Sequence, residues 1–95
     1  VAELAELIAQ AVLAHPAVHR LDGGEFGVVA SPLPGRRVLG VLAEGPGSPV
    51  EIAVVLLLGH PIPEVVEQLR ERVKAVAGTV PVDITVADLV VAEPA

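Results

Sequence analysis

The run from Ile52 to Leu58, seven consecutive apolar residues closed by Gly59, does most to limit what this chain can fold into. A helix needs roughly 20 apolar residues to cross a bilayer, so this run cannot span one. In a strand, successive side chains point to opposite faces. Val50, Ile52, Val54, Leu56 and Leu58 then share one face, and Glu51, Ala53, Val55 and Leu57 share the other. Both faces carry enough apolar surface to require burial, so the segment is predicted to lie inside a sheet and to need cover on both sides.

The rest of the chain supplies partners for such a strand. Leu4, Leu7, Ile8, Ala11 and Val12 recur at helical spacing between Ala2 and Ala14, with Leu13 on the polar side and Pro16 ending the helix. Ala17 to Leu21 reads as a short strand closed by Asp22-Gly23-Gly24. Phe26, Val28 and Val29 have strand character, but the prolines of the run Ser31 to Gly35 are expected to break any ladder there. Arg37 to Glu44 and Val50 to Leu58 are predicted to form a hairpin around the turn Gly45 to Pro49. Ile62, Val65, Val66, Leu69, Val73 and Val76 mark a second helix, with Pro61 and Pro63 at its start and Gly78 at its end. Val80, Val82, Ile84 and Val86 then alternate as a last strand. The predicted fold is α+β: one domain over 1–95, order α-β-β-β-α-β, a two-layer sandwich with both helices on one face of a small mixed sheet.

Composition narrows the function classes. Twelve acidic residues against six basic ones give a net charge of -6, which opposes the phosphate neutralisation that nucleic-acid binding needs. There is no cysteine, so disulfides and thiolate-held metals are excluded. The N-terminus lacks the basic and apolar regions of a secretory signal, and no export is expected.

Taken in order, the helix leading into HPAVHRLDGG, the segment PGRRVLGV, the run VEIAVVLLLGHPIPEVVEQLRERVKAV and the closing VPVDITVADLV resemble the bacterial alkaline-shock-protein family of envelope stress response proteins. The loop GEFGVVASPLPGRR is similar to the branch of that family found in GC-rich bacteria. The resemblance implies a cytoplasmic, non-enzymatic protein of envelope homeostasis. It implies self-association in some members, and recruitment to the inner face of the membrane by a separate anchored protein. It supplies no catalytic residue and no cofactor.

The residues themselves offer little chemistry. A zinc site would need most of His15, His19 and His60 plus a carboxylate such as Asp22, yet His15 and His19 straddle Pro16 and share no helical face. Ser31 and Ser48 adjoin prolines and read as turn residues, outside any nucleophile elbow. Asp83 and Asp88 are carboxylates without an evident pocket. The GEFG run from Gly24 to Gly27 has the spacing of a KH clamp, but it carries Glu25 and follows a strand, which argues against phosphate binding. No catalytic, metal or cofactor site is therefore assigned. A small regulatory domain that binds a metabolite or nucleic acid stands as the alternative function.

The remaining signal is the second face of the apolar strand. Ala53, Val55 and Leu57, joined by Leu39 and Val41, are expected to form an exposed patch that a second copy or another protein covers. Arg36 and Arg37 read first as a solvated strand start, and as an alternative would dock an acidic partner or anionic headgroups. The competing expectation is that the chain's own segment from Glu25 to Pro34 folds across this face.

Overall fold

The structure, a computed structural model, describes residues 3–24 and 29–91. Within them the order is α1 (Leu4–Leu13), β1 (Val18–Leu21), β2 (Ala30–Leu33), β3 (Arg36–Leu39), β4 (Val41–Ala43), β5 (Val50–Leu57), α2 (Ile62–Ala77) and β6 (Val82–Val90). The class is α+β, and the apolar run forms the central strand, β5. Along one of its edges β6 pairs in parallel, from Val50 opposite Val82 to Leu57 opposite Val90, with a bulge near Ala87. Its other edge is shared by two short antiparallel strands, β1 beside its C-terminal half and β4 beside its N-terminal half.

Ala53 lies where those two strands meet. Its N–H donates to the Gly40 carbonyl at 3.0 Å, and its carbonyl accepts from the Asp22 N–H at 2.9 Å. Gly40 has φ +86°, and a Cβ there would stand 2.6 Å from Cβ of Leu21. Both the backbone conformation and the space admit only glycine. That turn also splits the predicted strand from Arg37 to Glu44 into β3 and β4.

The two helices pack on one face of the sheet, where Ile8, Val12, Leu69 and Val73 meet Val41, Ile52, Val54 and Leu56 in one buried cluster. Burying each such side chain fully is worth about 1.5–3 kcal/mol. α1 ends where Pro16 requires, with the His15 N–H turned back to the Val12 carbonyl. Its buried stripe is Ala5, Ile8, Ala9 and Val12, whereas Leu7, expected inside, is largely exposed. With the buried stripe centred on these four residues, the helical period puts Leu7 on the other side of α1. α2 starts after Pro61 and stops at Gly78, whose φ of +87° ends the helix while its N–H still reaches the Lys74 carbonyl at 2.8 Å.

His15 ties the end of α1 to α2. Its Nδ1 accepts the Ala17 N–H at 3.0 Å, which leaves Nε2 to donate to Oε1 of Gln68 on α2 at 2.6 Å.

One strand forms where none was expected. β2 and β3 make an antiparallel hairpin around Pro34 and Gly35, with Pro32 opposite Arg37 and Ser31 opposite Val38. Proline is tolerated because this is a separate two-stranded sheet, in which an edge position needs no donor on its outer side. Ser31 is accordingly a buried strand residue and not part of a turn. Phe26 and Val28, and most of the GEFG run, lie outside the described residues.

Candidate functional site

The expected patch is not assembled as a free surface. Ala53 and Val55 are both 0% exposed within the single chain, so this face of β5 is already covered. Among the described residues, they and Val29 are the buried apolar ones outside the helix-side cluster. The chain that leaves β1 returns beside them: the Val29 N–H bonds the Gly23 carbonyl, and the Gly40 N–H bonds the Val29 carbonyl at 2.7 Å. Val41 stands opposite Ile52 and belongs to the helix-side core, a correction to its expected place beside Ala53. Leu39 is exposed but sits on the hairpin strand β3, while Leu57 is half-buried at the far end of β5. Arg37 is exposed in the same hairpin, where Arg36 stands opposite Leu33.

The free edge of the sheet is blunted. On β6 the Val82 carbonyl points outward and accepts from Nε of Arg70 at 3.3 Å, with Glu67 holding that guanidinium at 2.7 Å. Nearer the end of β6, the Leu89 N–H is taken by the carboxylate of its neighbour Asp88 at 2.8 Å. Capped groups and a bulge are devices that discourage strand addition.

Apolar surface is exposed elsewhere, at the end of the sheet where β5 and β6 finish and α2 begins. The Leu58 N–H reaches the Val90 carbonyl, which continues the parallel register so that Leu58 faces Val91, and Leu89 pairs with Leu56. Leu58, Leu89, Val91 and Ile62 at the start of α2 are between 37% and 75% exposed. Sequence periodicity assigned Leu58 and Ile62 to buried faces. It overlooked that a strand or helix outruns its cover at its ends.

A groove of about 620 Å³ opens between the start of α1, β2 and β4, walled by Leu4, Leu33, Leu42 and Pro46 and carrying the carboxylates of Glu3 and Glu44. A second hollow of about 380 Å³ adjoins it at Leu42 and Glu44, and adds Glu51 and Asp83. The hairpin wall is held by Ser31, whose hydroxyl donates to the Val41 carbonyl and accepts from the Ala43 N–H.

No family model, curated protein or solved structure matches the chain.

Titratable groups elsewhere do not converge. His15 is buried and engaged as described, whereas His19 and His60 are exposed on β1 and before α2. Among the described residues no three His, Asp or Glu side chains gather as metal ligands. No described helix is long and apolar enough to cross a membrane. Among the described residues Asp22 is the one acid with a clear shift: the hydrogen bond from Arg20 at 3.0 Å, and then the Gly24 N–H at 2.9 Å, hold its carboxyl below the usual range. These contacts close the turn after β1 and are structural in kind.

Proposed function

We propose that the chain is a non-enzymatic, self-associating scaffold of the alkaline-shock-protein type, acting in bacterial envelope homeostasis at the cytoplasmic side of the membrane through a membrane-anchored partner. The sequence resemblance supports the setting. The observation that carries the self-association is the apolar end formed by Leu58, Ile62, Leu89 and Val91. A contact between two copies puts the same patch on both sides, and an uncharged aliphatic patch is self-complementary where a chain of net charge -6 otherwise repels its copies. This patch takes the role first assigned to Ala53 and Val55.

Light scattering over a concentration series tests the reading. The full chain is expected to gain mass with concentration, and Leu58→Glu with Leu89→Glu is expected to keep it monomeric with an unchanged circular dichroism spectrum. A chain that stays monomeric at every concentration overturns self-association.

A further inference from the structure

We infer that the middle of the β6 edge is a docking site for an extended, basic segment of another protein, which adds to the sheet as a further strand. Main-chain groups alternate sides along a strand. The Pro81 carbonyl accepts the Val50 N–H and so faces β5, whereas the Val82 carbonyl accepts from Arg70 and faces away. The register with β5 is regular from Val82 to Val86, so the N–H and carbonyl of Ile84 and of Val86 also point away from the sheet. β6 pairs with β5 alone, and among the described residues nothing bonds these four groups. The caps at Val82 and Leu89 shut the two ends of the edge. Between them stands a short open window, with no proline or lysine to guard it.

The side chains around the window say what fits it. Residues directly opposite each other across an added antiparallel strand share a face. Ile84 and Val86 are half-buried against the helix-side core, so aliphatic residues opposite them extend that contact. Asp83 and Thr85 are exposed on the other face. There Asp83 stands opposite Glu51 of β5, a like-charge pair that is mutually destabilising and that a lysine set beside Asp83 relieves. Arg70, a cation at this edge, is already engaged with Glu67. The fitting occupant therefore alternates aliphatic and basic residues, taking affinity from main-chain bonds and selectivity from alternate side chains. A second copy of β6 fits less well, because it brings Asp83 and Asp88 of its own to a chain of net charge -6.

The test is a titration of the full chain with a blocked peptide of alternating valine and lysine, about six residues long, followed by amide chemical shifts and hydrogen exchange. Comparators are the same peptide N-methylated on its valines, and a peptide of alternating valine and glutamate. The amides of Ile84 and Val86 are expected to shift and to exchange more slowly on binding, while the Thr85 amide, which points toward β5, keeps its rate. Valine methylation is expected to weaken binding at least about tenfold, in line with loss of one main-chain hydrogen bond or more. Val86→Pro removes an N–H that points outward, a place where an edge strand accepts proline, and is expected to bind as weakly. If that variant loses its circular dichroism spectrum, the methylated peptide decides alone. The inference is overturned if the methylated peptide binds as the parent peptide does, if a folded Val86→Pro chain binds as the parent chain does, or if the glutamate peptide binds equally. It is equally overturned if the shifts lie away from Ile84 and Val86. Protection of those two amides in the free chain that rises with concentration would overturn it as well, because a second copy would then hold the edge. The window is distinct from the apolar end at Leu58 and Ile62, so its failure leaves self-association unaffected.

Discussion

The hydroxyl of Ser31 donates to the main-chain carbonyl of Val41 at 2.6 Å, and the same oxygen accepts the N–H of Ala43 at 3.0 Å. One side chain thus serves two backbone groups of β4 and fastens the β2–β3 hairpin to the sheet. Ser31→Ala leaves a buried carbonyl and a partly buried N–H without partners, an expected cost of about 1–3 kcal/mol in denaturant unfolding. Amide exchange at Ala43 is expected to accelerate in the same variant.

Gly40→Ala is expected to destabilise the chain far more than alanine at other left-handed glycines. Its new methyl group meets Leu21 at 2.6 Å, the Asp22 nitrogen at 3.0 Å and the Ala53 carbonyl at 3.1 Å, whereas at Gly47, with φ +80°, nothing lies within 4 Å. Conformational strain alone costs about 1–3 kcal/mol, which is the expectation for Gly47→Ala. At Gly40 the clash adds about 1–3 kcal/mol more. Paired thermal melts of the two variants check the ranking, and equal melting temperatures would refute the junction described for Ala53.

Asp22 gives a pH dependence with a definite sign. Its folded carboxyl is held below the ordinary range by Arg20 first and the Gly24 N–H second, against a small opposing effect of burial. An unfolded aspartate titrates at about 3.9. As pH falls, the unfolded chain therefore takes up the proton first. The stabilisation is whole above that value and disappears as pH falls through the lower folded value. The difference in unfolding midpoint between the parent and Asp22→Asn is expected to be flat from neutral pH to about 5 and to shrink below it. Because Arg20 is exposed, 1 M salt is expected to reduce that difference at every pH.

Val55 and Leu89 separate a core role from a surface role. Val55→Glu places a carboxylate at a site with no solvent exposure and is expected to unfold the chain or lower its stability by at least about 3 kcal/mol. Leu89→Glu acts at a site 37% exposed and is expected to cost less than about 1.5 kcal/mol while weakening self-association. Urea melts and light scattering on both variants distinguish the two. A folded, stable Val55→Glu protein would show that the face carrying Ala53 is open after all.

Much of the fold was legible because the pattern is dense in the right places. The alternation from Val50 to Leu58 announces a strand buried on both sides, and the spacing of Val65, Leu69 and Val73 between Pro61 and Gly78 defines α2 almost to its ends. Leu39 and Val41 show where pattern fails. In one continuous strand they would share a face, but the positive φ at Gly40 puts them in different strands, Leu39 against Ala30 and Val41 against Ile52. A glycine inside an apolar run was the visible signal, and its conformation was not. The groove was harder still. Glu3 and Asp83 come from opposite ends of the chain and Glu44 from its middle, and only the packing of α1 and the order of strands across the sheet bring Glu44 into one hollow with Glu3 and another with Asp83.

Ala53 bonds to Asp22 with its carbonyl and to Gly40 with its amide, so one residue is the seam between two separately delivered pieces of sheet. On one side the seam depends on a segment that follows α1. On the other it depends on the short hairpin closed by Gly45 to Pro49. The two pieces hold Ala53 by separate hydrogen bonds, and β1 and β4 are expected to open as separate local units. Hydrogen exchange at the Ala53 amide reports the release of β4, and exchange at the Asp22 amide reports the release of β1. If the two rates respond differently to temperature, the edge of this sheet behaves as two latches on one bolt.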